Sequence, residues 1–315
     1  MKFKRWLWPL PFCVVCFPLV IVSCANSAID NYQDAGNLAF NQAKYQEAEK
    51  LFASGLKIAE KSGADSIDVA STSNNLAKAL EEQGKLKEAE LLFNRSLAIK
   101  EKVYGNDHLS VAISLNNLAG LYETQSRYAE AEQFYKRSLS IEEKLLGQNN
   151  SMLVTNLHNL AFLYKTEGRY KEAEPLYIRA LAINEKVLGQ NHPDVATTLN
   201  NLGLLYKAQG NLIEAEPLYK RALAIDEKAL GPNHPAVATD LNNLAMLCEE
   251  QGNYSEAESL YKRSLAIKEK FGGTMDPKLI SCLENYADLL RKTSRNQEAV
   301  KIEGRIKAIQ SIKKI

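Results

Sequence analysis

Four histidines, five cysteines and a recurring pair of asparagines are the residues of this 315-residue chain whose types could do chemistry. Imidazoles converging within a few ångströms would hold a transition metal, and a histidine beside a serine or cysteine would make a nucleophile and its base. A primary amide offers two donors and two lone pairs, which suits a peptide backbone without demanding a particular side chain. Which chemistry is available depends on the elements that place these groups. His108, His192 and His234 each follow an Asp or Asn, and the steps between them are multiples of 42 residues. They therefore take the same place in different units of a repeating chain, too far apart to share a metal, and turn or helix-cap duty is expected of them. His158 stands alone, at a position where other units carry Asn. No nucleophile–base set, Gly-rich phosphate loop or zinc spacing occurs, so no catalytic residue, no metal and no cofactor are expected.

The elements behind those residues are helical and repeat. Asn-Leu-Ala or a near variant starts at Asn75, Asn117, Asn159, Asn201, Asn243 and Asn285, always 42 residues on. Glu-Ala-Glu or Glu-Ala-Val centres on Ala48, Ala89, Ala131, Ala173, Ala215, Ala257 and Ala299. Self-similarity at such a period marks a repeat architecture, and its seven units divide as about 31–66, 67–108, 109–150, 151–192, 193–234, 235–276 and 277–315, leaving no room for a catalytic domain. In 193–234, Val195, Leu199, Leu202, Leu205 and Tyr206 recur at helical spacing until Gly210; a second run carries Leu212, Ala215, Leu218, Tyr219, Ala222 and Ile225 until Gly231. Two such helices cannot bury their apolar faces alone, but a stack can. The fold class is all-α. The terminal units depart from the pattern, with Ala35 and Ala39 replacing larger residues and Glu303 replacing the aromatic, so both are expected to cap the stack. Pro175 and Pro217 should each cost a second helix one backbone bond or delay its start.

Composition excludes several alternatives. The chain has 45% apolar and 24% charged residues, with 39 Lys+Arg against 38 Asp+Glu. That is neither a disordered nor a fibrous chain, and its net charge of +1 lacks the basic excess of a nucleic-acid binder. Length alone would suggest about two domains.

Residues 1–23 differ from the rest. Lys2, Lys4 and Arg5 precede an apolar run from Trp6 to Val22, the layout of a secretory signal. Ile21-Val22-Ser23-Cys24 resembles the bacterial lipobox. That resemblance implies cleavage after Ser23, acylation of Cys24, a short tether over 24–30 and membrane attachment; Ala25, not being Asp, points to the outer membrane, on its periplasmic side. The run is short for a span and interrupted by Pro9, Pro11 and Pro18. Of the five cysteines only Cys248 and Cys282 lie in the repeats. Both are expected as buried thiols, offset too far along their helices to bridge.

The repeats carry a family resemblance. A small residue follows the Leu of the first helix at Ala77, Ala119, Ala161, Gly203, Ala245 and Ala287. An aromatic stands four beyond the Ala of the second, at Phe52, Phe93, Tyr135, Tyr177, Tyr219 and Tyr261. This resembles the tetratricopeptide repeat (TPR), lengthened from 34 to 42 residues. Tyr219 to Ile225 and Gly231-Pro232-Asn233-His234-Pro235 resemble its kinesin-light-chain type. The resemblance implies a right-handed superhelix of seven helix pairs whose first helices line a concave groove. At 100° per residue, the residues facing that groove are Asn75, Asn116, Asn117, His158, Asn159, Asn200, Asn201, Asn242, Asn243 and Asn285. With units about 10 Å apart and an extended peptide advancing about 3.3 Å per residue, one Asn per unit meets about every third backbone group. The amides equally suit a structural ladder, bonding one another. The partner implied is a protein or peptide segment of the cell envelope. The other readings are an assembly factor of a secretion, pilus or outer-membrane complex that docks by its convex face or ends, and an enzyme.

Overall fold

The computed structural model describes residues 17–312, with side chains from residue 27 onward. The signal segment and Cys24 as a lipid acceptor lie outside the described side chains. Fourteen α-helices and no strand occur among the described residues: α1 (Phe17–Asn41), α2 (Tyr45–Ser62), α3 (Ile67–Glu81), α4 (Leu86–Tyr104), α5 (Leu109–Thr124), α6 (Tyr128–Leu146), α7 (Leu153–Thr166), α8 (Tyr170–Leu188), α9 (Pro193–Ala208), α10 (Leu212–Leu230), α11 (Pro235–Glu250), α12 (Tyr254–Gly272), α13 (Ile280–Lys292, preceded by a 3-10 turn, Pro277–Leu279) and α14 (Asn296–Ile312). The chain groups into two compact units, Met1–Ile141 and Glu142–Ile315.

The sequence dictates where these helices start and stop. The turn before a first helix supplies a side-chain acceptor at one register position. Ser66 Oγ accepts from the Val69 amide at 3.3 Å, His108 Nδ1 from Ser110 at 3.1 Å, His192 Nδ1 from Asp194 at 3.1 Å and His234 Nδ1 from Ala236 at 3.2 Å. Asn150 and Asp276 do the same for Met152 and Lys278. Each bond satisfies one of the amides that a helix leaves without an internal partner. The three histidines are thus helix caps. The second helices from α2 to α12 place a Glu in the first turn and a Lys in the last, as in Glu214 and Lys228 of α10, which complements the helix dipole. They close on glycines in the left-handed region, such as Gly231 at φ 90°.

Packing follows the two periodic columns. All seven Ala residues of the Glu-Ala motif are fully buried, and Phe52, Phe93, Tyr135, Tyr177, Tyr219 and Tyr261 are the largest side chains that are fully so. Gly203 shows why a small residue faces them: a Cβ there would come within 2.7 Å of the Tyr219 ring.

Two expectations are refined. Segment 24–30 lies within α1, because nothing between Pro18 and Gly36 breaks a helix; Ile29 is already buried. Pro175 and Pro217 do not delay α8 and α10, which start at the usual place and have the same 19 residues as α4, α6 and α12. At the C-terminal end Glu303 takes the aromatic position and accepts from Arg291 Nε at 2.9 Å. No helix of the described residues is long and apolar enough to cross a membrane.

Candidate functional site

The asparagines singled out above lie on the first helices, where the structure shows what their amides do. In the first unit Asn117 Nδ2 donates to Asn74 Oδ1 at 2.9 Å, and Asn75 Nδ2 to Gln33 Oε1 at 2.6 Å. In the second unit Asn243 Nδ2 donates to Asn200 Oδ1 at 3.3 Å, and Asn285 Nδ2 to Asn242 Oδ1 at 3.2 Å. Three of these bonds share one pattern, the second Asn of a repeat donating to the first Asn of the repeat before it, 43 residues away; Asn75 instead meets Gln33, 42 residues away. Asn74, Asn200 and Asn243 are buried, while Asn75, Asn116, Asn117, Asn159, Asn201, Asn242 and Asn285 are half-buried. These bonds are a ladder between neighbouring first helices, and they occupy groups that a peptide backbone would otherwise meet.

His158 interrupts the series. Its ring lies 5.7 Å from that of Tyr177, and its Nε2 is buried without a partner. Burial lowers its pKa to about 4. It borders a cleft of about 340 Å³ with Thr155, Asn184 and Asp194. A neutral imidazole here occupies the position that an amide takes in other repeats.

The open side of the second unit's first helices presents a different set. Phe162 of α7 is 47% exposed; Leu204 of α9 and Met246 of α11, one and two repeats on, are half-buried. Lys165 Nζ sits 4.6 Å from the Phe162 ring centre, has no carboxylate partner among the described residues, and has its pKa lowered by burial. On later first helices Lys207 pairs with Glu250 at 2.6 Å and Lys292 with Glu249 at 2.7 Å. The column holding Lys165 and Lys207 carries Glu81, Glu123 and Glu249 in three other repeats. There Glu123 accepts from Tyr135 Oη at 3.1 Å and Glu249 from Tyr261 Oη at 3.0 Å, whereas the Tyr219 hydroxyl is buried without a partner. An exposed ring, two half-buried apolar side chains and a cation without a carboxylate partner thus share this side of the first helices.

Comparison with known proteins agrees with this architecture. The tetratricopeptide repeat family model matches residues 27–102, 92–144, 152–228 and 194–270. The chain belongs to the tetratricopeptide-repeat family. Among solved structures it is similar to a kinesin light chain of nearly identical TPR-like repeats from Podosopora anserina (28% identity, 63% of this chain and 94% of that one, TM-score 0.56). It is also similar to BtubC (BKLC) from P. vanneervenii (22%, 82% and 93%, TM-score 0.59) and to the quorum sensor NprR from B. thuringiensis (16%, 91% and 77%, TM-score 0.71), likenesses that show the fold. No curated protein matches the chain in sequence.

Within these tetratricopeptide repeats the acids form two sets of ion pairs. One runs along a single helix face, as between Glu216 and Lys220 at 2.6 Å. A second set joins consecutive repeats: Arg95 to Glu60, Arg137 to Glu101, Arg221 to Glu185, Arg263 to Glu227 and Arg305 to Glu269, each at 2.6 Å, and Arg179 to Glu143. Several of these guanidinium groups also reach a carbonyl of the preceding loop, as Arg305 does at Thr274 O, 2.6 Å. The signal was an Arg two residues after the buried aromatic in the second to sixth repeats, and two after Glu303 in the seventh. Cys248 and Cys282 are free and buried, and burial pushes the Cys248 thiol up to about 11, which keeps it unreactive.

Proposed function

We propose that this chain is a lipid-anchored adaptor of the bacterial envelope, held through Cys24 on the periplasmic side of the outer membrane, and that its repeats bind a segment of a partner protein. The anchor rests on the signal layout and the Ile21-to-Cys24 motif. Binding rests on one observation: Phe162 is nearly half exposed on the open face of the first helices, with Lys165 unpaired beside it. A segment that laid an apolar side chain on Phe162, Leu204 and Met246 would bury area at about 25 cal/mol per Å². A carboxylate on that segment would supply the partner Lys165 lacks. The asparagine ladder sets the spacing of the repeats beneath this surface.

The test is capture from envelope extract on the chain itself, beside Phe162→Ala and Lys165→Glu forms checked for equal helicity. A partner held by the unaltered chain and lost by both variants supports the reading. A partner held equally by all three moves the interface to the convex face or the ends, as in an assembly factor. For the anchor, metabolic labelling with a fatty acid should mark the chain and leave Cys24→Ser unmarked.

A further inference from the structure

Three repeat junctions of this chain bury a bonded polar pair, from the end of a second helix and the first helix that follows, fourteen residues on. Lys100 Nζ donates to Ser114 Oγ at 2.8 Å, Asn156 Nδ2 to Glu142 Oε2 at 3.4 Å, and Asn184 Nδ2 to Thr198 Oγ1 at 3.1 Å. Each is a donor meeting an acceptor. At the same register in α10 and α11 stand two carboxylates, Asp226 and Asp240, 3% and 1% exposed and within hydrogen-bonding reach of each other. Asn200 Nδ2 donates to Asp240 Oδ1 at 2.5 Å. No donor reaches Asp226 Oδ1 or Asp240 Oδ2.

The charged groups around the pair do not neutralise it. Glu227, next along α10, is taken by Arg263 at 2.6 Å. Asp194 at the start of α9 is another acid, exposed and 3.6 Å from His192. His234, before α11, turns Nδ1 to the Ala236 amide as an acceptor. Two carboxylates in contact and out of water cannot both ionise without a large cost. The missing donor is a proton.

We propose that Asp226 and Asp240 hold one proton between them, and that this proton is a pH-sensitive tie between the repeat α9–α10 and the repeat α11–α12. Burial, and then the charge of Asp226, push Asp240 up to about 7; Asp226 is raised too, by burial. The native pair thus binds its proton more tightly than the unfolded chain does. Its contribution is full below about pH 4 and is lost as pH rises to about 7, with the folding equilibrium falling about tenfold per pH unit in between. The tie stands whether or not the open face binds a partner.

The experiment is urea unfolding of the full chain from pH 4.5 to 8, with hydrogen-exchange protection factors for α10 and α11. It compares the unaltered chain with Asp226→Asn and with Asp226→Asn/Asp240→Thr, the pair already used at the α8–α9 junction. We expect the unaltered chain to lose stability relative to both variants by about a hundredfold in equilibrium constant between pH 5 and 7. An equal slope in all three chains would overturn the proposal. If the variants do not fold, carbon-13 titration of the unaltered chain's carboxyls decides: one aspartate of the pair ionising above pH 6 supports the tie, and both ionising below pH 5 refutes it.

Discussion

Asn243 donates its side-chain amide to Asn200 at 3.3 Å, and Asn200 passes the chain of bonds on to Asp240 at 2.5 Å. Three side chains from two repeats are thereby tied in one buried series. Asn200→Ala removes both bonds at once and leaves a buried amide and a buried carboxyl without them. Such losses cost about 1–3 kcal/mol. Urea denaturation of Asn200→Ala should therefore show a clear fall in midpoint with an unchanged slope. A variant that kept its midpoint but lost a partner would return the asparagines to a ligand-reading role.

His158 gives an opposite test. Its native pKa is lowered to about 4 by burial, against about 6.5 in an unfolded chain. Below pH 6.5 the unfolded state takes up the proton first, so stability falls as pH drops from 6.5 towards 4. His158→Asn restores the amide of the other repeats and should abolish this acid-side loss, read as the difference between the two melting-temperature profiles.

Turn chemistry predicts a gain. Between the two helices of a repeat, Gly84, Gly168, Gly210 and Gly252 take φ of 73–81°, but Ala43, Ser126 and Ser294 take 57°, 59° and 63°. A side chain in that region costs about 1 kcal/mol. Ser126→Gly should raise stability by about 0.5 kcal/mol after the greater unfolded-state entropy of glycine is subtracted. An unchanged or lower melting temperature would show that Ser126 is not strained.

The arginine staples predict a salt effect. Arg305 joins α14 to Glu269 and Thr274, each at 2.6 Å. Arg305→Met keeps the length of the side chain and removes its charge, which should cost about 0.5–1 kcal/mol at low salt and less at 1 M. Exchange at the amides of α14 is the local readout, since a terminal repeat opens first.

Much of this was legible in the sequence because the chain states its architecture several times. A 42-residue period, a small residue opposite a ring, and glycines after each second helix leave one stacking solution, and the structure has it. The histidine caps were legible for the same reason. What the period cannot reveal is the partner of a polar group. Asn200 and Asn243 look like one more surface amide each until the first helices are set side by side. Asp226 and Asp240 read as ordinary helix acids, though Ile225 and Leu241 beside them mark a buried face. Phe162 carried no signal, because a lone aromatic among leucines is as easily core as surface.

Every side-chain bond named above spans 43 residues of sequence or fewer. Pulled from its two ends, such a chain has no distant clasp among the described residues that must break before the rest gives way. Each repeat lost would release about 42 residues, roughly 140 Å of slack at full extension. A partner gripped by several repeats would thus hang on a ratchet of small, separate yields, and extension would be resisted one repeat at a time.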